Sequence, residues 1–337
     1  MPNAFISGTG SYVPPRVVTN DDLVTAYGMD TSDEWIRKRT GIRERRYAEE
    51  GVGSADLAVP AVRAAIEAAG LDASDVGMLV FATLSPEHCF PGSGVYLQEK
   101  LGLPGVPALD VRNQCSGFVY GLTTATGLVR SGMANHVVVV GAEVHSAAID
   151  LTTRGRTVSS LFGDGAGAVV VSATDEDRGI RSCKLGADGR FADVLAQRIW
   201  DIRKRPFIAL DDEGMGRVPP EMMFAQMDGR TVFKHAVEKM ITALMQVCWE
   251  HELTMDDLDL VLFHQANKRI NQYVQRQLGL PDEKVPHNIE RYGNTTAATI
   301  PLLLDEAVRS GRLERGMKVA TVAFGSGFTW GAALIDW

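Results

Sequence analysis

The chain lacks any long apolar run: its longest aliphatic stretch, Val137 to Val140, is far too short for a bilayer, which takes about 20 residues to cross. Its start, MPNAFISGTG, has neither a basic opening nor an apolar segment behind it, so no secretory leader is legible. Cysteine is scarce. Cys89, Cys115, Cys183 and Cys248 stand far apart with no Cys-x-x-Cys pair, which argues against a disulfide framework and a zinc site and predicts no metal. Positive charge is also short. Against 42 Asp and Glu there are 34 Lys and Arg, a net charge of -8, so nucleic acid and membrane surfaces are not expected partners. With 45% hydrophobic and 23% charged residues over 337 positions, the sequence predicts a globular, cytoplasmic protein of one large or two fused domains.

What the chain does have is a repeat. Leu71-Asp72-Ala73-Ser74-Asp75-Val76-Gly77-Met78-Leu79-Val80-Phe81 aligns without a gap on Leu253 to Phe263, at an offset of 182 residues. Three more landmarks recur in the same order: Leu101-Gly102-Leu103-Pro104 as Leu278-Gly279-Leu280-Pro281, Arg130-Ser131-Gly132 as Arg309-Ser310-Gly311, and Gly167 to Val171 as Gly331 to Ile335. Short β-branched runs alternate with helical patterns at 54–69 and 231–250. That is an α/β fold built from two copies of one unit, 1–175 and 176–337, related by a pseudo-twofold axis. The joint falls near 173–180, in the polar Thr174-Asp175-Glu176-Asp177-Arg178-Gly179. Segment 186–224 has no counterpart in the first half and reads as an excursion that covers something.

Pseudo-symmetry singles out residues at matching helix starts. Cys115 follows the strand-like Pro107 to Val111 and precedes a helix-like run from Ser116 to Val129. Helix N-terminal amides favour a thiolate there, although a lone cysteine is equally consistent with a packed core thiol. In the second half Asn294 opens the run to Val308, a place like that of Cys115 and also one suited to a helix cap. His264 ends the repeated strand Leu260 to Phe263, where α/β enzymes build their sites. Cysteine can take up an acyl group while His and Asn donate to a developing oxyanion or enolate. Without a carboxylate base in the trio, decarboxylation is the favoured source of a carbanion, and a Cys-His-Asn hydrolase is the competing reading.

The glycine-rich pieces Gly8-Thr9-Gly10 and Gly163 to Gly167 lack the dinucleotide pattern and read as tight turns. Phe324-Gly325-Ser326-Gly327-Phe328 follows the strand Val319 to Ala323 and is either an oxyanion hole or one more close-packed turn. In Trp35 to Arg46 six Lys or Arg accompany one Glu, behind a capping box at Thr31-Ser32-Asp33-Glu34 and with Gly41 as the helix stop. Trp beside Arg suits a purine and its phosphates, and a solvated helix face explains the run equally well.

The chain resembles the β-ketoacyl-acyl-carrier-protein synthases III, condensing enzymes of the thiolase superfamily. The likeness runs end to end and is carried by Gly8-Thr9-Gly10-Ser11-Tyr12-Val13-Pro14, Thr31 to Ile36, Arg39 to Arg45, Phe162 to Ala168, His264-Gln265-Ala266-Asn267, Gly293-Asn294-Thr295 and Gly327-Phe328-Thr329-Trp330-Gly331. It implies a duplicated five-layer α-β-α-β-α fold and a homodimer, with acyl-CoA and malonyl-acyl carrier protein as substrates and no bound cofactor. Cys115 is then the acylated nucleophile, His264 and Asn294 the groups that promote decarboxylation, and the amides of Cys115 and Ser326 the oxyanion hole. The resemblance further places Thr31, Trp35, Arg39 and Arg154 around the CoA nucleotide, and Gly229, Phe233 and Asn267 along the pantetheine tunnel. It puts Lys268 and Arg269 on the carrier-protein face and Phe90 across the dimer in the partner's acyl pocket. Three departures stand out: Gly325-Ser326-Gly327 in place of three glycines, polar Arg112-Asn113-Gln114 before the nucleophile, and a longer segment 191–220 carrying Arg198, Arg203, Lys204 and Arg205. Two related chemistries stay open: joining two acyl chains without decarboxylation, with Glu87 as base, and acyl transfer to water or another acceptor. A non-catalytic partner of the same fold is disfavoured because no member of the trio is missing.

Overall fold

A computed structural model describes residues 2–199, 201–206, 208–210 and 216–337. The chain begins with β1 (Asn3–Tyr12), α1 (Asp33–Thr40) and α2 (Ser54–Ala68), then β2 (Met78–Ala82), α3 (Ser93–Leu101) and β3 (Ala108–Val111). It continues through α4 (Gly117–Arg130), β4 (His136–Glu143) and β5 (Gly165–Thr174). A turn at 175–178 leads to β6 (Gly179–Ala187), α5 (Gly229–Trp249), β7 (Leu260–Phe263) and α6 (Lys268–Gln277), and the chain ends with α7 (Thr299–Arg309), β8 (Lys318–Gly325) and β9 (Thr329–Asp336).

Two sheets form. The first has the order β1-β5-β4-β2-β3 and the second β6-β9-β8-β7, with the central strand parallel to one neighbour and antiparallel to the other in each. Matching elements thus occupy matching places, as the repeated landmarks predict. The valine run of β4 is buried on both faces, as a central strand between helical layers must be. Between the sheets lie α4 and α7. Phe118, Leu122 and Val129 of α4 and Leu303 and Leu304 of α7 share one core with Val137 and Val169 of the first sheet and Leu262 and Val319 of the second. Each such side chain contributes about 1.5–3 kcal/mol by leaving water. Helix α2 covers the outer face of the first sheet and α5 that of the second, which gives five layers, α-β-α-β-α.

The glycines of Gly8-Thr9-Gly10 are not in a turn; they lie inside β1. A Cβ on Gly8 or Gly10 would stand 2.2 Å from the carbonyl oxygen of Ala65 or Ala61 on α2. Close strand-to-helix approach, not chain reversal, requires them. Gly163 and Gly167 are held against backbone in the same way, by Tyr292 and by Pro301 and Leu302. The cap of α1 differs from expectation by one residue: Ser32, not Thr31, accepts from Trp35 N, and Gly41 ends the helix at φ 83°.

Within segment 186–224, residues 200, 207 and 211–215 lie outside the described residues. Phe191 stacks on Phe328 at 5.2 Å, Leu195–Ala196 pairs with Gln226–Met227, and Leu195 O accepts from Ser326 Oγ. It is packed over the loop between β8 and β9. Among the described residues no helix is long and apolar enough to cross a membrane, and no cluster of His, Cys, Asp and Glu is placed to hold a metal.

Candidate active site

Both α4 and α7 are entered through a short tight turn, Gln114–Ser116 and Thr296–Ala298, whose first residue has positive φ: 44° at Gln114 and 50° at Thr296. These two turns meet. A Cβ on Gly117 would be 3.6 Å from Ala297 Cβ, and one on Gly325 at the end of β8 would be 3.0 Å from Cys115 N. Matching the turns makes Ala297 the counterpart of Cys115, so Asn294 is not at the equivalent position. Helix α7 has 11 residues against 14 in α4, and the missing turn is what counting back from Arg309 overlooks. Asn294 is delivered instead by a bridge to Phe162, with its N–H donating to Leu161 O at 2.8 Å.

His264 leaves β7 next to β8, donating its backbone N–H to Val322 O at 2.9 Å. Its Nδ1 lies 2.6 Å from Thr299 Oγ1, and that hydroxyl donates to Thr296 O at 3.0 Å. One hydroxyl has one proton, so Nδ1 is the donor and the lone pair sits on Nε2. Nε2 is buried and has no protein partner among the described residues. Burial pushes the imidazole down to about 3, so the ring is neutral. At rest Nε2 is therefore an acceptor and a base, and it becomes a donor, as the sequence reading has it, only after taking up a proton.

Cys115 also departs from expectation. Burial, and secondly the Glu143 carboxylate, push its thiol up to about 12, opposed only by its own backbone N–H. Cys115 therefore rests as a thiol rather than a thiolate. Asn294 Oδ1 accepts from Thr296 N at 2.8 Å, which fixes the carboxamide with Nδ2, a donor, as its free end. Glu143 went unnoticed in the sequence because it follows a valine run that reads as core. It is fully buried, and its Oε2 accepts from Ser85 Oγ at 2.6 Å and from Thr83 Oγ1 and Leu84 N at 3.1 Å each. Burial nevertheless lifts it to about 7.

The description "3-Oxoacyl-[acyl-carrier-protein (ACP)] synthase III" belongs to a family model that matches residues 109–189, and its C-terminal companion matches 248–337. A β-ketoacyl-[acyl-carrier-protein] synthase III of Laribacter hongkongensis is 44% identical over 337 residues, covering 100% of both chains. The chain belongs to the β-ketoacyl-acyl-carrier-protein synthase III family. A synthase III of Xanthomonas campestris pv. campestris is 46% identical over 98% of this chain and 97% of its own. The solved synthase III of Thermus thermophilus superposes with a TM-score of 0.88 at 41% identity, over 99% of each chain. This chain is accordingly a condensing acyltransferase with the thiolase-like fold.

The outer residues named by the resemblance are only partly gathered. Arg39 lies 4.1 Å over the Trp35 ring, and the second guanidinium there is Arg156 at 5.5 Å, not Arg154. Arg154 is paired with Asp150 at 2.6 Å and lies 5.7 Å from the Phe224 ring. Asp30, the residue before Thr31, joins this corner: its N–H donates to Thr153 Oγ1 and its carbonyl accepts from Arg156. Asn267 caps α6 and donates to Arg39 O at 3.1 Å, tying α6 to α1. Gly229 opens α5, and Phe233, one turn on, meets Tyr273 of α6 edge-on at 5.8 Å.

A cavity of about 560 Å³ separates α1 from α6, with Arg37, Lys38, Arg43 and Arg269 on its walls and Asp33 and Glu290 among them. The basic cluster is weaker than its sequence. Arg45 is fully buried, bonded to Asn20 Oδ1 and Ser160 O, while Arg46 pairs with Glu44 and Lys268 with Glu290. Arg269 is exposed. Phe90 is 84% exposed on the loop before α3. Glu87 accepts from Ala55 N at 2.6 Å at the start of α2 and thereby serves as a helix cap within this chain.

Proposed function

We propose that the protein condenses an acyl-CoA primer with a malonyl thioester carried by acyl carrier protein, through an acyl group on Cys115. The supporting observation is the His264 tautomer: a buried, neutral imidazole with its lone pair on an unpartnered Nε2, in the corner where Cys115 rests as a thiol. The Cys115 proton passes to Nε2 as Sγ attacks the thioester, and on to the sulfur of departing CoA. The tetrahedral oxyanion is received by the amides of Cys115 and Ser326. Malonyl thioester then loses CO2, and the electron pair of the broken bond passes to the thioester oxygen as an enolate held by Asn294 Nδ2. The overall reaction consumes one proton. It enters at His264 Nε2 once the anionic malonyl group offsets the cost of charging a buried ring, is donated to the enolate oxygen, and ends on the Cys115 sulfur when the new C–C bond expels it.

The face formed by Trp35, Arg39 and Arg156, with Thr31 and Arg154 beside it, suits a nucleotide and its phosphates. Gly229, Phe233 and Asn267 line the way inward, and Arg269 with Lys268 offers cationic contact to an acidic carrier protein. A homodimer fits the exposed Phe90 and the open edge of β3, where Leu109 is 38% exposed. A cytoplasmic location and independence of any cofactor complete the reading. In the test, Cys115 is followed by intact mass across a panel of acyl-CoAs, and malonyl-acyl carrier protein is then added. An acyl-Cys115 adduct that disappears with CO2 release and a 3-oxoacyl product is the expected result; adducts that only hydrolyse, or no CO2 with any primer, overturn it.

A further inference from the structure

Thr296 is the hub of the catalytic corner. It is a β-branched residue with φ 50°, a conformation that costs about 1–3 kcal/mol unless its surroundings enforce it. Each of its polar atoms is bonded. The N–H donates to Asn294 Oδ1 at 2.8 Å, the carbonyl accepts from Thr299 Oγ1 at 3.0 Å, and the hydroxyl meets His145 Nε2 at 2.6 Å. Thr299 in turn fixes His264 Nδ1. One of the three bonds therefore ends on Asn294, the second reaches His264 through Thr299, and the third ends on a buried imidazole from the first half of the chain.

That imidazole is not placed by chance packing. Gly141, Glu143 and His145 alternate along the end of β4 and its continuation, and all three face the turn 296–298. A Cβ on Gly141 would be 2.3 Å from Ala297 O, Glu143 Oε1 faces Ala297 N at 3.5 Å, and His145 meets the Thr296 hydroxyl. Alternation is what a strand imposes on one face. His145 is itself fixed, with its ring 4.4 Å from Phe162 and its N–H donating to Asp164 Oδ1 at 2.7 Å.

We propose that His145 is a positioning residue for decarboxylation: through the Thr296 hydroxyl it holds the strained turn that orients the Asn294 carboxamide. The inference rests on the condensing reaction proposed above. Acylation of Cys115 draws on the turn only through Thr299 and His264, whereas decarboxylation draws on it through Asn294 as well, so loss of the strut lowers decarboxylation more than acylation.

The experiment measures both half-reactions, acyl-Cys115 formation from acyl-CoA and CO2 release from malonyl-acyl carrier protein, in wild type, His145→Phe, His145→Gln and Thr296→Val. His145→Phe fills the space without the hydrogen bond. Thr296→Val keeps the branched shape and removes only the hydroxyl, so it carries the test if His145→Phe does not fold. The expected result is a fall in the ratio of decarboxylation to acylation of about tenfold or more in His145→Phe and in Thr296→Val, recovery in His145→Gln, and no additional loss when His145→Phe and Thr296→Val are combined. A folded His145→Phe or Thr296→Val protein with the wild-type ratio overturns the proposal, because a purely structural role would scale both half-reactions together. Failure of the wild type to release CO2 overturns the underlying reaction instead, which separates the two outcomes.

Discussion

A buried thiol beside a carboxylate is a poor nucleophile at rest, and Cys115 carries both handicaps. Glu143 is the second cause of its raised value, so Glu143→Gln moves the pH dependence of Cys115 alkylation by iodoacetamide to lower pH. The shift is about one unit or less, since burial remains; an unmoved profile contradicts a charge at that position. In the proposed reaction Asn294 separates two roles within one side chain, its oxygen bonded to the turn and its nitrogen left for the substrate. Asn294→Asp keeps the first and abolishes the second. The expected loss in decarboxylation is about 10²–10³-fold, typical for one oxyanion donor, with a much smaller loss of Cys115 acylation. Equal losses by mass spectrometry and CO2 trapping would contradict that division.

At the scale of elements, glycine positions separate close approach from mere turns. Gly141→Ala brings a methyl group to 2.3 Å from Ala297 O, which costs about 1–3 kcal/mol by overpacking and displaces the 296–298 turn; thermal melting and CO2 release should both fall. Gly127 lies exposed within α4 with nothing within 4 Å of an added Cβ. Gly127→Ala should raise stability by about 0.5–1 kcal/mol with activity intact. The elements themselves were legible. Apolar runs at β2, β4, β7 and β8 and the four repeated landmarks fix the order of strands and helices, because burial leaves a periodic trace in composition. The entrances to α4 and α7 left no such trace. Positive φ at Gln114 and Thr296 runs against the local preference of both residue types, so the sequence suggested helices starting at Cys115 and Asn294 and misplaced Asn294 by one turn. Cys115, His264 and Asn294 could be found at strand and helix ends, whereas Glu143 and His145 were masked by the valines before them.

Over the whole molecule, buried neutral imidazoles tie stability to pH. His145 and His264 are both pushed by burial to about 3, so between pH 6.5 and 3 the unfolded chain binds more protons than the native one and stability falls as pH falls. Each contributes up to about 1.4 kcal/mol per pH unit in that window. Glu143, lifted to about 7, acts with the opposite sign from its unfolded range near 4.5 up to 7. The His145→Gln variant should therefore show a shallower loss of unfolding free energy in denaturant between pH 6.5 and 5 than wild type, by one proton's worth of slope; identical slopes would mean that His145 is charged in the native protein. Charge is likewise uneven at this scale. The net -8 coexists with a basic groove between α1 and α6, which makes attraction of anionic partners local to that mouth.

The floor of the catalytic corner is backbone laid on backbone, with Gly325 against Cys115 and Gly141 against Ala297. A surface without side chains offers selection nothing to enlarge. On the reaction proposed above, variation in the accepted primer is expected in the covering segment that touches Ser326 and Phe328 and in the loop 83–91, where the resemblance puts Phe90. A mutant library confined to those two stretches should change primer choice, while one spread over the floor should return mostly inactive protein.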